Sequence, residues 1–485
     1  MKYLKNFRLI LLLSLLALAG CETLTSLRQD FADKVFGREP PNPPAALQAF
    51  EPTYSLKIDW SSNIGKTERY DYTPALDSSA VYANNAAGDI VKLDASNGKQ
   101  VWRINIGEPI SGGIGIGAGV LFVGTKTGNV HALDAAGKLL WKAKVSSEIL
   151  SVPRYFDGLA IVRTGDNHIF GLDATDGSRK WVFERTTPAL SLRSSVGIVV
   201  DGGAVYAGFA GGKMVAIRAD NGKLLWEATI AQPKGVTEIE RIADITSLPV
   251  IDGPLVYAVA YQGRVAAVDR RSGKVVWNRD ISSYTGMNAE DGKVFVSHAL
   301  GSVYSLDSET GKTFWRQAGL LNRRLSAPLP IGNVIAVGDL EGYVHFLTRD
   351  EGGFAARIKL DSNAVMALIP GVNGKQLIAE TRDGGLYAIS VADANAAPAS
   401  KQPAQRNAPK PTESTASESA PEAVKPETKP EPKVPDSGAP DTERSIMFQK
   451  DPVFQKEPVL EKDQESSPDA PLNKNSGPGI RLPSN

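Results

Sequence analysis

The tryptophans of the chain fall on a repeating lattice, and this repeat constrains the fold more than any other sequence feature. The steps between them are 38 to 51 residues long, and most are near 40. A glycine stands four positions before six of the seven, as in Gly98–Trp102. The seven are Trp60, Trp102, Trp141, Trp181, Trp226, Trp277 and Trp315. A period near 40 with a turn glycine and an anchoring aromatic is typical of a β-propeller blade.

Residues 248–280 contain one complete repeat. Four short apolar segments, rich in β-branched residues, alternate with turns that contain glycine, and the last segment ends at Trp277. This pattern predicts four antiparallel strands joined by tight turns. A single sheet of this kind buries its faces only by stacking against neighbouring blades. Each tryptophan is therefore expected to pack between blades rather than to bind a ligand.

The number of blades can be counted from the turn between the second and third strands, which recurs eight times. A glycine lies at or beside each turn: Gly88, Gly128, Gly165, Gly212, Gly263, Gly301, Gly342 and Gly385. In the seventh repeat Ala356 replaces the tryptophan, and Phe354 is the candidate to fill the space. The eighth repeat has no outer strand after Ile389, whereas Trp60 has no complete blade before it. We therefore predict an all-β, eight-bladed propeller with four antiparallel strands per blade, closed by N-terminal residues 54–60.

The N-terminus predicts export and lipidation. Residues 1–20 combine a basic start with the apolar run Leu9–Leu18, which is too short to span a bilayer and is typical of a signal peptide. The sequence Leu-Ala-Gly-Cys21 resembles a bacterial lipobox, in which the cysteine becomes the first residue and carries acyl chains such as palmitate. Cys21 is the only cysteine, so it forms no internal disulfide. The alternative is an incidental cysteine near a cleavage site.

The remaining composition divides the chain into further segments. Residues 21–53 are expected to form the lipidated N-terminus and a tether stiffened by prolines, residues 54–392 the propeller, and residues 393–485 a disordered tail rich in Pro, Ala, Ser, Glu and Lys. Within the tail, Phe448–Val453 is nearly repeated as Phe454–Val459. This is either a duplicated linear motif or an accidental duplication.

Composition and motifs give no indication of catalysis. Lys and Arg number 54 and are balanced by 54 Asp and Glu, so no basic excess favours nucleic-acid binding. The four histidines are His131, His168, His298 and His345, and they lack the spacing of metal ligands. A recurrent Leu-Asp after the third strand predicts a turn-capping carboxylate, because a catalytic group would occur once. We expect no active site, no metal and no cofactor.

The repeated phrase Leu-Asp-x-x-x-Gly-Lys-x-x-Trp resembles the repeat of pyrroloquinoline-quinone dehydrogenases and their non-enzymatic relatives. A dehydrogenase of that family has two adjacent cysteines, which this chain lacks. The lipobox, the short tether and the eight repeats resemble instead the BamB family of the outer-membrane β-barrel assembly machine, over residues 1–392. This resemblance implies a non-catalytic scaffold that assists β-barrel folding and insertion. The alternatives are a quinoprotein-like dehydrogenase and a generic envelope scaffold with another partner.

The same resemblance implies a location and a set of partners. Glu22 replaces the aspartate associated with inner-membrane retention, so the family rule places the protein at the periplasmic face of the outer membrane. The implied partner is the periplasmic part of BamA. Unfolded outer-membrane proteins are a weaker candidate, as clients that add a strand to exposed sheet edges.

Two segments are similar to the family's partner-binding loops. Residues 187–193 match the loop that contacts BamA, and the matching residues are Leu190, Leu192 and Arg193. The alternative is an innermost strand with both leucines in the core. In the longest insertion, Asp244 matches the first of two acidic residues and Thr246 replaces the second. Asp244 is either an interface residue or a loop cap.

Overall fold

The structure is a computed structural model that describes residues 42–394, apart from 69, 187–189, 191, 193, 194, 234 and 238. The predictions for the signal peptide, Cys21, Arg193 and most of the tail lie outside the described residues. Among the described residues, no helix has the length and hydropathy needed to cross a membrane.

The described chain forms eight four-stranded antiparallel sheets, and in seven of them the strands lie side by side in sequence order. Blade 1 contains β2 (Ala75–Leu76), β3 (Ala80–Asn84), β4 (Asp89–Asp94) and β5 (Gln100–Asn105). Blade 2 contains β6 (Ile110–Gly117), β7 (Val120–Thr125), β8 (Asn129–Asp134) and β9 (Leu139–Lys144). Blade 3 contains β10 (Arg154–Phe156), β11 (Leu159–Arg163), β12 (Ile169–Asp173) and β13 (Arg179–Phe183). Blade 4 contains β14 (Ile198–Asp201), β15 (Ala204–Phe209), a 3₁₀ turn (Ala210–Gly212), β16 (Lys213–Arg218) and β17 (Leu224–Thr229).

The second half of the ring repeats this arrangement. Blade 5 contains β18 (Val250–Asp252), β19 (Leu255–Val259), β20 (Val265–Asp269) and β21 (Val275–Arg279). Blade 6 contains β22 (Gly286–Glu290), β23 (Lys293–Ser297), β24 (Val303–Asp307) and β25 (Thr313–Gln317). Blade 7 contains β26 (Leu329–Ile331), β27 (Val334–Gly338), β28 (Tyr343–Thr348) and β29 (Phe354–Lys359). Blade 8 contains β30 (Val365–Pro370), β31 (Gln376–Thr381) and β32 (Gly385–Asp393), and it is completed by β1 (Tyr54–Asn63).

Burial within a blade explains the sequence pattern of its strands. Second strands such as β3 are buried along their whole length, and they are continuous apolar runs. Outer strands such as β9 alternate, with Trp141 buried between exposed neighbours. The first strands of neighbouring blades contact one another, as β6 does β10, so they lie at the centre of the ring.

Each tryptophan joins its own blade to the next one. The indole nitrogen of Trp60 donates to the carbonyl of Ala95 in blade 1 at 2.9 Å, and all seven tryptophans donate in the same way to the following blade. The Trp60 ring also covers Gly98, where a Cβ would lie 2.5 Å from the ring and where φ is +69°. In five of the six Gly-x-x-x-Trp phrases the glycine is therefore required by the preceding blade's tryptophan as well as by its own turn, whereas at Gly137 a Cβ would lie 3.5 Å from the Trp102 ring. The predicted packing between blades is confirmed.

Blade 7 departs from this pattern for a physical reason. Ala356 stands where a tryptophan is expected, and it faces Phe346, which is fully buried. The other tryptophans mostly face small residues such as Ala132 and Ala216. Elsewhere the acceptor carbonyl lies in the turn between the third and fourth strands of the next blade, and blade 8 has no such turn because its fourth strand is β1. Phe346 rather than the expected Phe354 fills this space, since Phe354 packs towards blade 6.

The last strand of blade 8 comes from the N-terminal end of the ring. β1 pairs antiparallel with β32 from Tyr54–Asp393 to Asn63–Gly385, with a bulge between Ile58 and Trp60. The expected closure is confirmed, and so is the fold: an all-β ring of eight four-stranded blades.

Candidate functional site

The longest connections of the ring lie on one of its ends, here called the loop face. Because strands in a blade alternate in direction, the turn between the second and third strands and the link to the next blade share this end. The two longest links are residues 184–197, from blade 3 to blade 4, and residues 230–249, from blade 4 to blade 5. These neighbouring links carry the predicted partner-binding residues.

Two of the predicted apolar residues are on the surface of the first link. Leu190 is 46% exposed and Leu192 is 37% exposed. Neither belongs to a strand, so the alternative of an innermost strand does not describe the structure. Arg193 lies outside the described residues, and its assignment stays a prediction. The link thus presents an apolar pair on the loop face, which is the type of side chain that anchors a protein interface.

Asp244 holds the two links together. It is only 4% exposed, and its Oδ2 accepts the backbone N–H of Leu192 at 2.7 Å. Its Oδ1 accepts the N–H of Gly211, in the turn of blade 4, at 2.9 Å. Charge-assisted bonds to backbone amides are among the stronger hydrogen bonds in proteins. The carboxylate therefore fixes the backbone at Leu192. Asp244 thus acts as a loop cap, which is one of the two roles considered for it from the sequence.

Thr246 lies two residues further along the second link and is half-buried. The intervening Ile245 is 1% exposed and fits against Gly208, where a Cβ would lie 2.2 Å from the Ile245 side chain. The predicted residues of both links therefore lie close together. The second link contributes mainly buried side chains that hold the first link in place, and not exposed contact residues.

A cavity of about 260 Å³ lies beside Leu192, and nothing in the sequence predicts it. Its lining includes Leu150, Arg163, Asn167, Leu192, Asp244 and Ile245. Arg163 is 7% exposed, donates to Asn167 Oδ1 at 3.1 Å, and lies 4.7 Å from the centre of the Phe209 ring. Burial lowers the pKa of the Arg163 guanidinium to about 10, so it stays protonated at neutral pH. In the sequence, the only indication of this buried charge is that the apolar strand Leu159–Arg163 ends in an arginine.

The first link also reaches towards the opposite side of the ring. Ser195 Oγ donates to Asp71 Oδ2 at 3.4 Å, and Asp71 lies on the link between blades 8 and 1. The part of this link that follows Leu190 is therefore held at two nearby points, at Leu192 by Asp244 and at Ser195 by this contact across the central opening.

Two of the histidines noted in the sequence pair with carboxylates in different parts of the ring. His131 of blade 2 lies 2.6 Å from Glu108, and His345 of blade 7 lies 2.9 Å from Asp339, so the two histidines do not meet. No group of three or more potential metal-ligating side chains is present in the described part of the chain. The repeated aspartates cap turns, as when the Thr175 hydroxyl and N–H bind Asp173 and lower its pKa to about 2.

Known proteins resemble this chain in sequence and in fold. The family model described as outer membrane protein assembly factor BamB matches residues 86–317 and 299–424. The outer membrane protein assembly factor BamB of Nitrosomonas eutropha is 37% identical over 394 residues, which cover 80% of this chain and 95% of that protein. The crystal structure of BamB from Moraxella catarrhalis is 27% identical, with a TM-score of 0.64, and covers 69% of this chain and 100% of that chain.

The fold is also shared with an enzyme. Quinohemoprotein alcohol dehydrogenase from Comamonas testosteroni has a TM-score of 0.57 at 15% identity, covering 69% of this chain and 76% of that chain. At this identity the likeness concerns the fold alone. The family match and the curated relative, by contrast, extend over most of the chain, and they are assembly factors rather than enzymes. The chain belongs to the family of outer membrane protein assembly factor BamB.

Proposed function

We propose that this protein is a non-catalytic scaffold of outer-membrane protein assembly that binds the periplasmic part of BamA through its loop face. The observation that supports this proposal is the exposed pair Leu190 and Leu192, of which Leu192 is held by the buried carboxylate of Asp244 and lines a cavity. A rigid ring positions this pair without ordering a flexible segment on binding, which reduces the entropic cost of association. Acyl chains on Cys21 keep the ring at the periplasmic face of the outer membrane.

Replacing both leucines should weaken binding without affecting the fold. We expect Leu190→Ser with Leu192→Ser to raise the Kd for the purified periplasmic domain of BamA by tenfold or more, since two anchors worth about 1 kcal/mol or more each would be lost. The melting temperature should change little, because both side chains are exposed. Calorimetric titration measures the Kd, and Arg193→Ala, added to the double variant, tests the third predicted contact.

The chain offers a matched control for this experiment. Leu139 and Leu140 on outer strand β9 are 49% and 50% exposed, so Leu139→Ser with Leu140→Ser removes a similar apolar area far from the loop face. The control should bind as wild type does. Equal losses in both double variants, or none in either, would contradict the assignment of the loop face.

Unfolded outer-membrane proteins are a second candidate ligand, supported by the outer strands. The residue before the tryptophan is apolar and about half exposed in five blades: Val101, Leu140, Leu225, Val276 and Phe314. Each outer strand pairs on one side only, with the third strand of its blade. An edge with unpaired backbone groups and apolar side chains is a template for strand addition.

Binding at these edges can be separated from binding at the loop face. We expect Leu224→Lys with Leu225→Lys to weaken the binding of a ten-residue peptide of alternating apolar and polar residues by several-fold, measured by fluorescence anisotropy. Charge on an edge strand disfavours pairing with another strand. The Leu190→Ser, Leu192→Ser variant should keep its peptide affinity, and the opposite ranking of the two variants would exclude the outer edges as the client site.

A further inference from the structure

Residues 43–50, here called the strap, lie against blade 7 before the chain enters β1. The Ala45 N–H donates to the Leu321 carbonyl at 2.9 Å, and Asn322 Nδ2 donates to the Pro43 carbonyl at 3.2 Å. Beyond the strap, the Thr53 N–H donates to the Ala355 carbonyl at 2.9 Å. Residues 21–53 are expected from the sequence to form a tether, but the last part of this segment is bound to the ring.

The surface under the strap is a buried ionic network. Arg323 is 2% exposed, and its Nε lies 2.7 Å from Oδ2 of the fully buried Asp339. The same Asp339 oxygen is 2.9 Å from His345 Nε2. With these charges paired, Arg323 Nη1 is still free to donate to the Ala45 carbonyl at 2.8 Å. Breaking the Arg323–Asp339 pair would leave a buried charge without a partner, which is costly. The guanidinium is therefore fixed in orientation, with Nη1 directed at the strap.

Arg357 and an aromatic pair make the second half of the surface. Arg357 Nε donates to His345 Nδ1 at 3.0 Å, and its Nη1 donates to the Gln48 carbonyl at 3.1 Å. The guanidinium lies 5.0 Å from the Phe50 ring and 5.2 Å from the Phe354 ring, and the two rings stack at 5.6 Å. Stacked rings attract one another, and a guanidinium is attracted to the face of an aromatic ring. The strap is thus held by both its backbone and Phe50.

Blade 2 has the corresponding residues without a strap. His131 faces Lys142 across the strands, as His345 faces Arg357 in blade 7. Both His131 and Lys142 contact Glu108, at 2.6 and 2.7 Å, so the blade 2 network is completed by the link from blade 1 and needs no N-terminal segment. In blade 7, by contrast, two arginines each direct a donor at the strap. The binding surface is therefore a specific feature of blade 7.

We propose that the strap attaches the lipid anchor to blade 7, so that this edge of the ring is held nearest the membrane. The orientation rests on the proposed acylation of Cys21, whereas the binding of the strap does not. The chain from Cys21 to its first contact at Pro43 is then about 22 residues long, with a reach of at most about 75 Å, instead of about 33 residues and 115 Å to Tyr54. Shortening the tether on one side of the ring restricts how the loop face turns relative to the bilayer.

The binding of the strap is tested on the full-length protein by hydrogen exchange. Phe50→Ala with Arg357→Ala should speed exchange of the Ala45 amide by tenfold or more, while amides of blades 2 to 5 keep their protection. The control Lys142→Ala changes the corresponding network in blade 2 and should leave Ala45 protected. If Ala45 in the wild-type protein exchanges as fast as in a free peptide of residues 42–52, the strap does not bind and the proposal fails.

The orientation is tested with the acylated protein on phospholipid vesicles. Glu351→Cys in blade 7 and Asp176→Cys in blade 3 occupy equivalent turns, and either can be labelled with a fluorophore because acylation blocks Cys21. Energy transfer to a headgroup acceptor should be at least twofold stronger from position 351, and the Phe50→Ala, Arg357→Ala change should remove the difference. Equal transfer in the wild type would overturn the orientation. Failure of the protein to bind vesicles would contradict the acylation, and hydrogen exchange would still decide whether the strap binds.

Discussion

Deletion of residues 52–61 should lower the free energy of unfolding of the ring by at least about 3–5 kcal/mol. The deletion removes most of β1, and with it the closing pairs to β32 and the buried side chain of Trp60. Loss of a buried tryptophan alone costs about this much, before any hydrogen bond is counted. Leu386 and Ala388, now fully buried, would face solvent on an open edge.

Denaturant unfolding followed by tryptophan fluorescence measures this loss. Deletion of residues 403–412, in the segment whose composition predicts disorder, is the control and should leave the midpoint unchanged. A synthetic peptide of residues 52–63, added to the shortened protein, should restore part of the lost stability because it can pair with β32. An unchanged midpoint in the 52–61 deletion would mean that closure contributes little to the stability of the ring.

Replacing Glu380 by glutamine should stabilise the protein at neutral pH. Glu380 on β31 is 1% exposed, and neither carboxylate oxygen has a hydrogen-bond partner among the described residues. Burial raises the pKa of this carboxyl to about 8, and the nearby Asp71 carboxylate adds repulsion. Glu380 is therefore mostly protonated in the folded protein at pH 7, whereas it would be ionised in the unfolded chain.

The raised pKa sets the direction of the pH dependence. Between pH 4.5, the ordinary pKa of glutamate, and about 8, the folded state binds more protons than the unfolded state, so stability falls as pH rises through this window. Each pKa unit corresponds to about 1.4 kcal/mol, which gives a loss on the order of 3 kcal/mol by pH 7. Glu380→Gln removes this loss because the amide does not ionise.

Urea unfolding at pH 5, 6, 7 and 8 tests this expectation. The stability difference between Glu380→Gln and wild type should grow steadily with pH across the series. Glu309→Gln removes an exposed carboxylate and serves as the control, which should run parallel to wild type. A pH-independent difference between Glu380→Gln and wild type would show that Glu380 is ionised in the folded ring.

The ring was predictable because its tryptophans and glycines meet a geometric demand that recurs in almost every blade. Gly98 needs a positive φ and also room for the Trp60 ring, so both residues are required at a fixed spacing. The missing outer strand of the eighth repeat then had one candidate, the segment around Trp60. Repetition of this kind converts a packing requirement into a sequence pattern.

Features that occur once in the ring were not predictable in the same way. Asp244 binds amides 52 and 33 residues away, at Leu192 and Gly211, and no spacing in the sequence indicates those partners. Arg163 is the last residue of one buried strand and Glu380 is the last but one of another, and neither has an equivalent in the other blades that would form a pattern. The strap depends on Arg323, 278 residues from Ala45, so a proline-rich segment alone predicts only a tether.

The tryptophan contacts within the described ring all run in one direction, from each blade to its successor, and they are missing only between blades 7 and 8. Seven of the eight junctions between blades therefore use the same hydrogen bond, from an indole N–H to a backbone carbonyl of the next blade. Duplication or loss of a whole repeat there would change the circumference while conserving every bond type. The junction between blades 7 and 8 has no such freedom, and it borders the one blade in which the two ends of the described ring pair with each other.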